Sequence, residues 1–179
     1  ATIHAADLNL GGTAVTATAT EINLIEGVTS NVQTQIDALI SSSSVTTYTV
    51  NTFYAELGGY VIEVNSDGTH GLVIPNQDQG ECTWFSAKDV VNDPDNFDVN
   101  GSQFRDWRVP TVREVKIMSS FHMDGNGSFD GYYYMTQSEY NQNICFKVNI
   151  NSGVEDSNDT KGATNTSGSY YRVRAVRTF

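Results

Sequence analysis

No lysine or arginine occurs before Lys88, so all ten basic residues lie at 88–177 of a 179-residue chain whose net charge is -11. Nucleic acid and anionic membrane surfaces demand a basic patch that displaces counterions, and this composition excludes both as partners. The stretch before Lys88 also lacks trypsin-type cleavage sites, which suits either exposure to digestive proteases or simply the biased composition of a small stalk. Cysteine is nearly absent. Cys82 and Cys145 stand too far apart for a zinc pair or a CxxC redox motif, which leaves one disulfide or, as the simpler reading, two buried thiols. No apolar run is long enough to span a membrane, so no membrane insertion is expected. No charged and then apolar leader opens the chain, so an extracellular role implies export inside a particle or by another non-classical route. The histidines are few as well: His4, His70 and His122 fall in no nucleophile or metal motif.

What the chain does contain is 39% hydrophobic and 11% aromatic residues with abundant Asn, Ser and Thr, a globular composition with a neutral-polar surface. The length accommodates one full domain and a smaller extension. Residues 1–19 are small and Thr/Ala-rich, with too little apolar volume to fold alone; they read as an extended attachment segment. Residues 20–40 read as helical. Thr18 or Thr20 can cap the run 21–26, Gly27 supplies a left-handed stop, and Ser30 with Gln33 forms a capping box that opens a helix over 31–40. Its stripe Val32, Ile36, Leu39 and Ile40 needs cover, either from sister chains or from the chain's own C-terminal domain. Ser41 to Ser44 then predict a helix end and a linker.

A first strand is expected within 45–54, so that 41–56 forms linker plus strand, and 57–179 the main domain. A hairpin is expected over 58–75 around the turn Asn65-Ser66-Asp67-Gly68, and a helix over 82–91 capped by Thr83 or Ser86. Next come a polar loop over 92–102, a chain turn at 107–110, and a helix capped by Thr111 and Glu114 that buries Val112, Val115, Met118 and Phe121. Strands follow near 132–136, 144–150 and 170–176.

Two stretches resemble known families. Residues 16–37, with Thr16-Ala17-Thr18-Ala19-Thr20-Glu21 and Gly27-Val28-Thr29-Ser30-Asn31-Val32-Gln33-Thr34-Gln35-Ile36-Asp37, are similar to a segment recurrent in bacteriophage tail and head fibre proteins. The resemblance implies a virion-surface, extracellular protein. It further implies a homotrimer through Ile22, Ile25, Val28, Val32, Ile36 and Leu39, and contact of residues 1–19 with other virion structural proteins.

Residues 57–179 resemble a bacterial and phage family of C-type-lectin-fold domains. The resemblance rests on 58–73, on Asp106-Trp107-Arg108-Val109-Pro110-Thr111, on 134–139, and on Val173-Arg174-Ala175-Val176-Arg177. It implies an α+β fold, two helices with a mixed, mostly antiparallel sheet, preceded by the helical trimerisation stalk. Met135 where that family carries Trp, and the polar loop before Trp107, are departures. Trp107 is expected to fill the core, Arg108 to pair with a carboxylate such as Glu139, and Arg174 and Arg177 to belong to the scaffold.

Enzymatic readings find little to rest on. Formylglycine-generating enzymes share that fold type but use a local cysteine pair absent here, and no carboxylate pair is set apart as a depolymerase would need. No enzyme activity is expected. Asp124, Asn126, Ser128 and Asp130 alternate oxygen ligands as in half of a calcium loop, but Phe129 stands where that loop needs Gly and Met135 where it needs Glu. Calcium is therefore a weak candidate, and no other cofactor is expected. A display surface has the stronger composition: Tyr132, Tyr133, Tyr140, Asn141, Asn143, Asn158, Asn165, Ser169 and Tyr170 combine large rigid contact area with adaptable hydrogen bonding. The segment is similar to the variable region of receptor-binding proteins of the major-tropism-determinant type. It implies binding of a host cell-surface protein or glycan; a purely structural fibre cap and a bacterial adhesin are the alternatives.

Overall fold

A buried arginine near the C-terminus marks where the two sheets of the main unit meet. The computed structural model describes residues 9–10, 13–14, 20, 32–42, 45–162 and 171–179. The chain divides into two compact units, residues 1–45 and 46–179.

In the first unit, β1 (Asn9–Leu10) and β2 (Thr13–Ala14) pair antiparallel. Helix α1 spans Val32–Ser42, with Val32, Ile36, Leu39 and Ile40 all exposed. The serines do not end it where expected. Ser41 is helical because its hydroxyl donates to the Asp37 carbonyl at 2.7 Å, turning a competing side chain into an internal bond. Ile22, Ile25 and Val28 lie outside the described residues.

The second unit is α+β. Its first sheet has the order β11-β5-β4-β3, formed by β3 (Thr52–Tyr54), β4 (Gly59–Val64), β5 (Gly71–Ile74) and the C-terminal β11 (Arg177–Thr178). The expected strand over 45–54 shrinks to its last three residues, because Asn51 adopts a left-handed φ of 62° just before them. The hairpin of β4 and β5 closes tightly; a Cβ at Gly59 or Gly71 would collide with the carbonyl oxygen of Ile74 or Glu63.

The second sheet runs β6-β10-β7-β8-β9, from β6 (Gly80–Cys82), β7 (Tyr133–Glu139), β8 (Cys145–Asn149), β9 (Glu155–Asp156) and β10 (Tyr171–Val173). Two sheets thus replace the single one expected. The second is mixed, since β10 pairs parallel with β7 and antiparallel with β6.

Both faces of the second sheet are buried. Alternation places Tyr134 and Val148 on one face, under helix α3 (Val112–Met123), with Val115, Met118 and Phe121 against them. The other face, with Cys82, Met135, Cys145, Tyr171 and Val173, packs on Trp107 and the short helix α2 (Ala87–Asn92). That helix is shorter than the expected 82–91 because Cys82 is held in β6 opposite Tyr171, and Thr83 and Ser86 hydrogen-bond each other in the turn between. Both cysteines are free thiols and buried; burial, with Cys145 nearby, pushes the Cys82 thiol up to about 12.

The capping box at Thr111 and Glu114 forms with both hydrogen bonds in place. Its glutamate is also the partner of Arg108, through two bonds of 2.8 and 2.6 Å. Glu139 is not that partner, because it pairs with Lys161 at 2.9 Å. Burial opposes the charged form of Glu114, yet the bonds from Arg108 and Thr111 outweigh it and hold the carboxyl below its ordinary value. Trp107 is core: its indole N–H donates to the Gly101 carbonyl at 2.8 Å and its ring stacks on Phe97. The polar loop before it contains two short 3-10 turns, Pro94–Asn96 and Gly101–Gln103, and wraps this indole with Phe97 and Phe104.

Where the sheets meet, Arg174 is 1% exposed and bonds Asp78 at 2.6 Å, with a side-chain exposure of 2% on the aspartate. The other Asp78 oxygen accepts from the Tyr134 hydroxyl, also at 2.6 Å. The guanidinium also donates to the carbonyls of Pro75 and Ser128 and lies 4.0 Å from the centre of the Phe129 ring. Removing one partner of a buried, hydrogen-bonded ion pair strands the other. Arg174→Ala is expected to cost about 3–5 kcal/mol in urea unfolding of the whole chain. Arg174→Lys should recover only part of it, since an ammonium lacks the planar fork.

Candidate functional site

The segment between β7 and β10 carries two lysines that the surrounding acidic and polar sequence gives little reason to bury. Lys147, on β8, is 5% exposed. Its ammonium bonds Asp159 and, at 2.9 Å, the Tyr171 hydroxyl, and lies 3.6 Å from Asp156. The rings of Tyr133 and Tyr171 flank it at 4.9 and 4.6 Å. Burial, then the Asp156 charge, raises the pKa of the Tyr171 phenol. Lys161, equally buried, pairs with Glu139 and lies 4.3 Å from the centre of the Trp84 ring. Its backbone accepts from Trp84 N and donates to the Asn143 carbonyl. Two cations therefore brace the residues around 155–161 against the β7–β8 hairpin, because each buried ammonium must recruit carboxylates and aromatic faces to replace its water.

On this braced frame the predicted display residues separate. Tyr132 is 72% exposed and Tyr140 59% exposed, but they flank opposite ends of β7, up to about 26 Å apart at strand rise. They do not form one patch. Tyr140 packs edge-on against Phe146 beside Asn141, whose side chain accepts from the backbone N–H of Asn143 and Ile144 and shapes the hairpin turn. Asn141, Asn143 and Asn158 are all exposed. Tyr133 is half-buried by its contact with Lys147, so it supports the surface more than it displays it. Tyr133 and Asn158 nonetheless share the lining of an open polar groove of ≈ 520 Å³ that also includes Glu155 and Asp156. Asn165, Ser169 and Tyr170 lie outside the described residues.

The calcium-like loop touches the buried Arg174–Asp78 pair. Asp124, Ser128 and Asp130 are exposed and Asn126 half-buried. The Ser128 carbonyl accepts from Arg174, and the Asp130 N–H donates to Asp78. Among the described residues no cluster of three or more His, Cys, Asp or Glu side chains is placed to hold a metal ion.

A second concavity went unnoticed in the sequence. A cleft of ≈ 380 Å³ opens between α2, the stretch after Asp106 and β7, and both of the chain's tryptophans, Trp84 and Trp107, line it. The Trp84-Phe85 pair was the available signal, an aromatic doublet within a polar stretch. The two rings meet edge to face, with Phe85 66% exposed.

Compared with known proteins, the chain matches no family model and no curated protein sequence. No helix among the described residues is long and apolar enough to cross a membrane.

The lysine brace gives a specific expectation. Lys147→Met keeps most of the stem but takes the cation away from Asp156 and Asp159, leaving Asp159 with the Tyr171 hydroxyl that donates to it. Hydrogen exchange at 155–161 should accelerate, by about 1–3 kcal/mol of lost protection, while α3 keeps its protection.

Proposed function

We propose that this chain is a homotrimeric bacteriophage fibre or decoration protein, attached to the particle through residues 1–19. In this reading residues 57–179 form a C-type-lectin-like domain at the virion surface that binds a host cell-surface protein or glycan, without enzymatic activity. One observation carries the reading of the domain. The two sequence motifs that resemble the lectin-like family, 106–111 and 173–177, meet across a backbone bridge in which Arg108 and Val176 exchange two hydrogen bonds of 3.0 Å. In the same region the C-terminal strand β11 joins the first hairpin, with Phe179 and Gly71 bonded in both directions. Motifs far apart in sequence thus build one frame, and the Tyr- and Asn-rich segment between them supplies exposed Tyr132, Tyr140, Asn141, Asn143 and Asn158. Tyrosine at such positions adds contact area with only two side-chain torsions to fix.

The trimer reading is supported by α1, whose stripe of Val32, Ile36, Leu39 and Ile40 is exposed along a helix of 11 residues. An isolated helix that short is marginal in water, so sister chains would supply both cover and stability.

Two measurements test these statements. Particles carrying Tyr140→Ala with Asn143→Ala should adsorb to host cells at least about tenfold more weakly, the loss of one or two contact anchors, and Tyr132→Ala tests the other end of β7 separately. Adsorption unchanged in all of these variants supports the purely structural cap instead. Light scattering of the isolated chain should give three times the 19.6 kDa chain mass; a monomer at micromolar concentration defeats the trimer.

A further inference from the structure

The cleft lined by the two tryptophans has an unusual charge environment. Every Lys and Arg of the chain except Arg105 and Lys88 pairs with a carboxylate. Arg105 donates to the backbone carbonyls of Ser102 and Phe104. Lys88 alone has no partner among the described residues, and it lies on the cleft, exposed on α2. In a protein of net charge -11, with carboxylates in excess, an uncommitted ammonium beside an aromatic surface stands out.

The rest of the lining narrows the chemistry. The side-chain amides of Asn92 and Gln137 are exposed and make no hydrogen bond among the described residues. Each offers donors and an acceptor, the pairing that hydroxyl groups need. The exposed Phe85 ring offers an apolar platform, while Trp107, Val91 and Val109 form a buried apolar floor. Arg108, also in the lining, is tied to Glu114 through its two terminal nitrogens and is committed to that pair.

We propose that this cleft binds a sugar unit bearing a carboxylate. The apolar face of the sugar ring packs on Phe85, its hydroxyls bond Asn92 and Gln137, and its carboxylate meets Lys88. A plain aromatic acid would leave both amides unused, and a neutral sugar would leave unused the Lys88 ammonium, which has no partner among the described residues. The volume lies at the lower end of small-ligand sites, which suits one or two sugar units. This inference rests on the glycan-binding reading above and adds both the sugar class and a location away from the tyrosine-bearing ends of β7.

Because both tryptophans line the cleft, their fluorescence reports occupancy of the whole chain without a label. Titration with glucuronate should give a saturable change in the millimolar range, as weak single-site sugar binding does, and glucose should bind about tenfold more weakly for want of a charge-assisted bond. Lys88→Gln, at an exposed and unpartnered position that folding does not use, should bring glucuronate down to the glucose affinity. Phe85→Ala should weaken both sugars. No saturable response to glucuronate, or equal affinity for glucose, overturns the proposal. Acetate binding as well as glucuronate also overturns it, in favour of a bare carboxylate site such as an acidic peptide would use. Wild-type adsorption to cells that glucuronate does not compete, with no glucuronate response in fluorescence, removes the cleft assignment and leaves the receptor reading standing. Glucuronate binding by a chain that never adsorbs to cells does the reverse.

Discussion

The buried pair of Arg174 and Asp78 is the constraint on which the main unit depends. Asp78 lies between β5 of one sheet and β6 of the other, and Arg174 lies between β10 and β11, so the pair sits on the two connections that pass from sheet to sheet. A charge pair this dry is tolerable only when its remaining bonding capacity is filled. Here Tyr134, the Asp130 N–H and the carbonyls of Pro75 and Ser128 fill it. Beside it the Gln79 side chain accepts from the Ala175 N–H at 2.6 Å, which seals the same crossing without another charge. The loop before β7 is tied to this pair through the Ser128 carbonyl and the Asp130 N–H.

A frame fixed in this way can tolerate irregular, polar surface. Trp107 and the capping box hold α3 and the preceding turn, while Lys147 and Lys161 hold the residues around 155–161. In each case a buried cation or indole N–H gathers acceptors from segments distant in sequence. The exposed residues of the β7–β8 hairpin and the groove beside β9 then need contribute little to stability. That division suits the proposed display role, because substitutions at solvated turn positions away from caps and ion pairs change stability only slightly.

Several features were legible because their cause is local. The hairpin around residues 65–68, the Thr111–Glu114 capping box, the burial of Val115, Met118 and Phe121, and the core position of Trp107 follow from spacing and residue type. Other expectations erred where a long-range partner overruled a local preference. Cys82 was expected to open a helix but is claimed by Tyr171 across β10. Arg108 pairs with a carboxylate as expected, but with Glu114 in place of the Glu139 offered as an example, which Lys161 occupies. Tyr132 and Tyr140 appear as one cluster in a linear reading, and an intervening extended strand moves them apart.

The sequence by itself determined the net charge of -11, the alternation of helix-like and strand-like stretches, and the positions of caps and turns, since composition and short-range periodicity settle these. Only the tertiary structure decided which cations are committed to carboxylates, because pairing joins residues as far apart as Asp78 and Arg174. Lys147 and Lys161 look like ordinary solvated lysines in the chain, and burial makes them braces. Lys88 looks no different, and among the described residues it lies exposed on the cleft without a carboxylate partner.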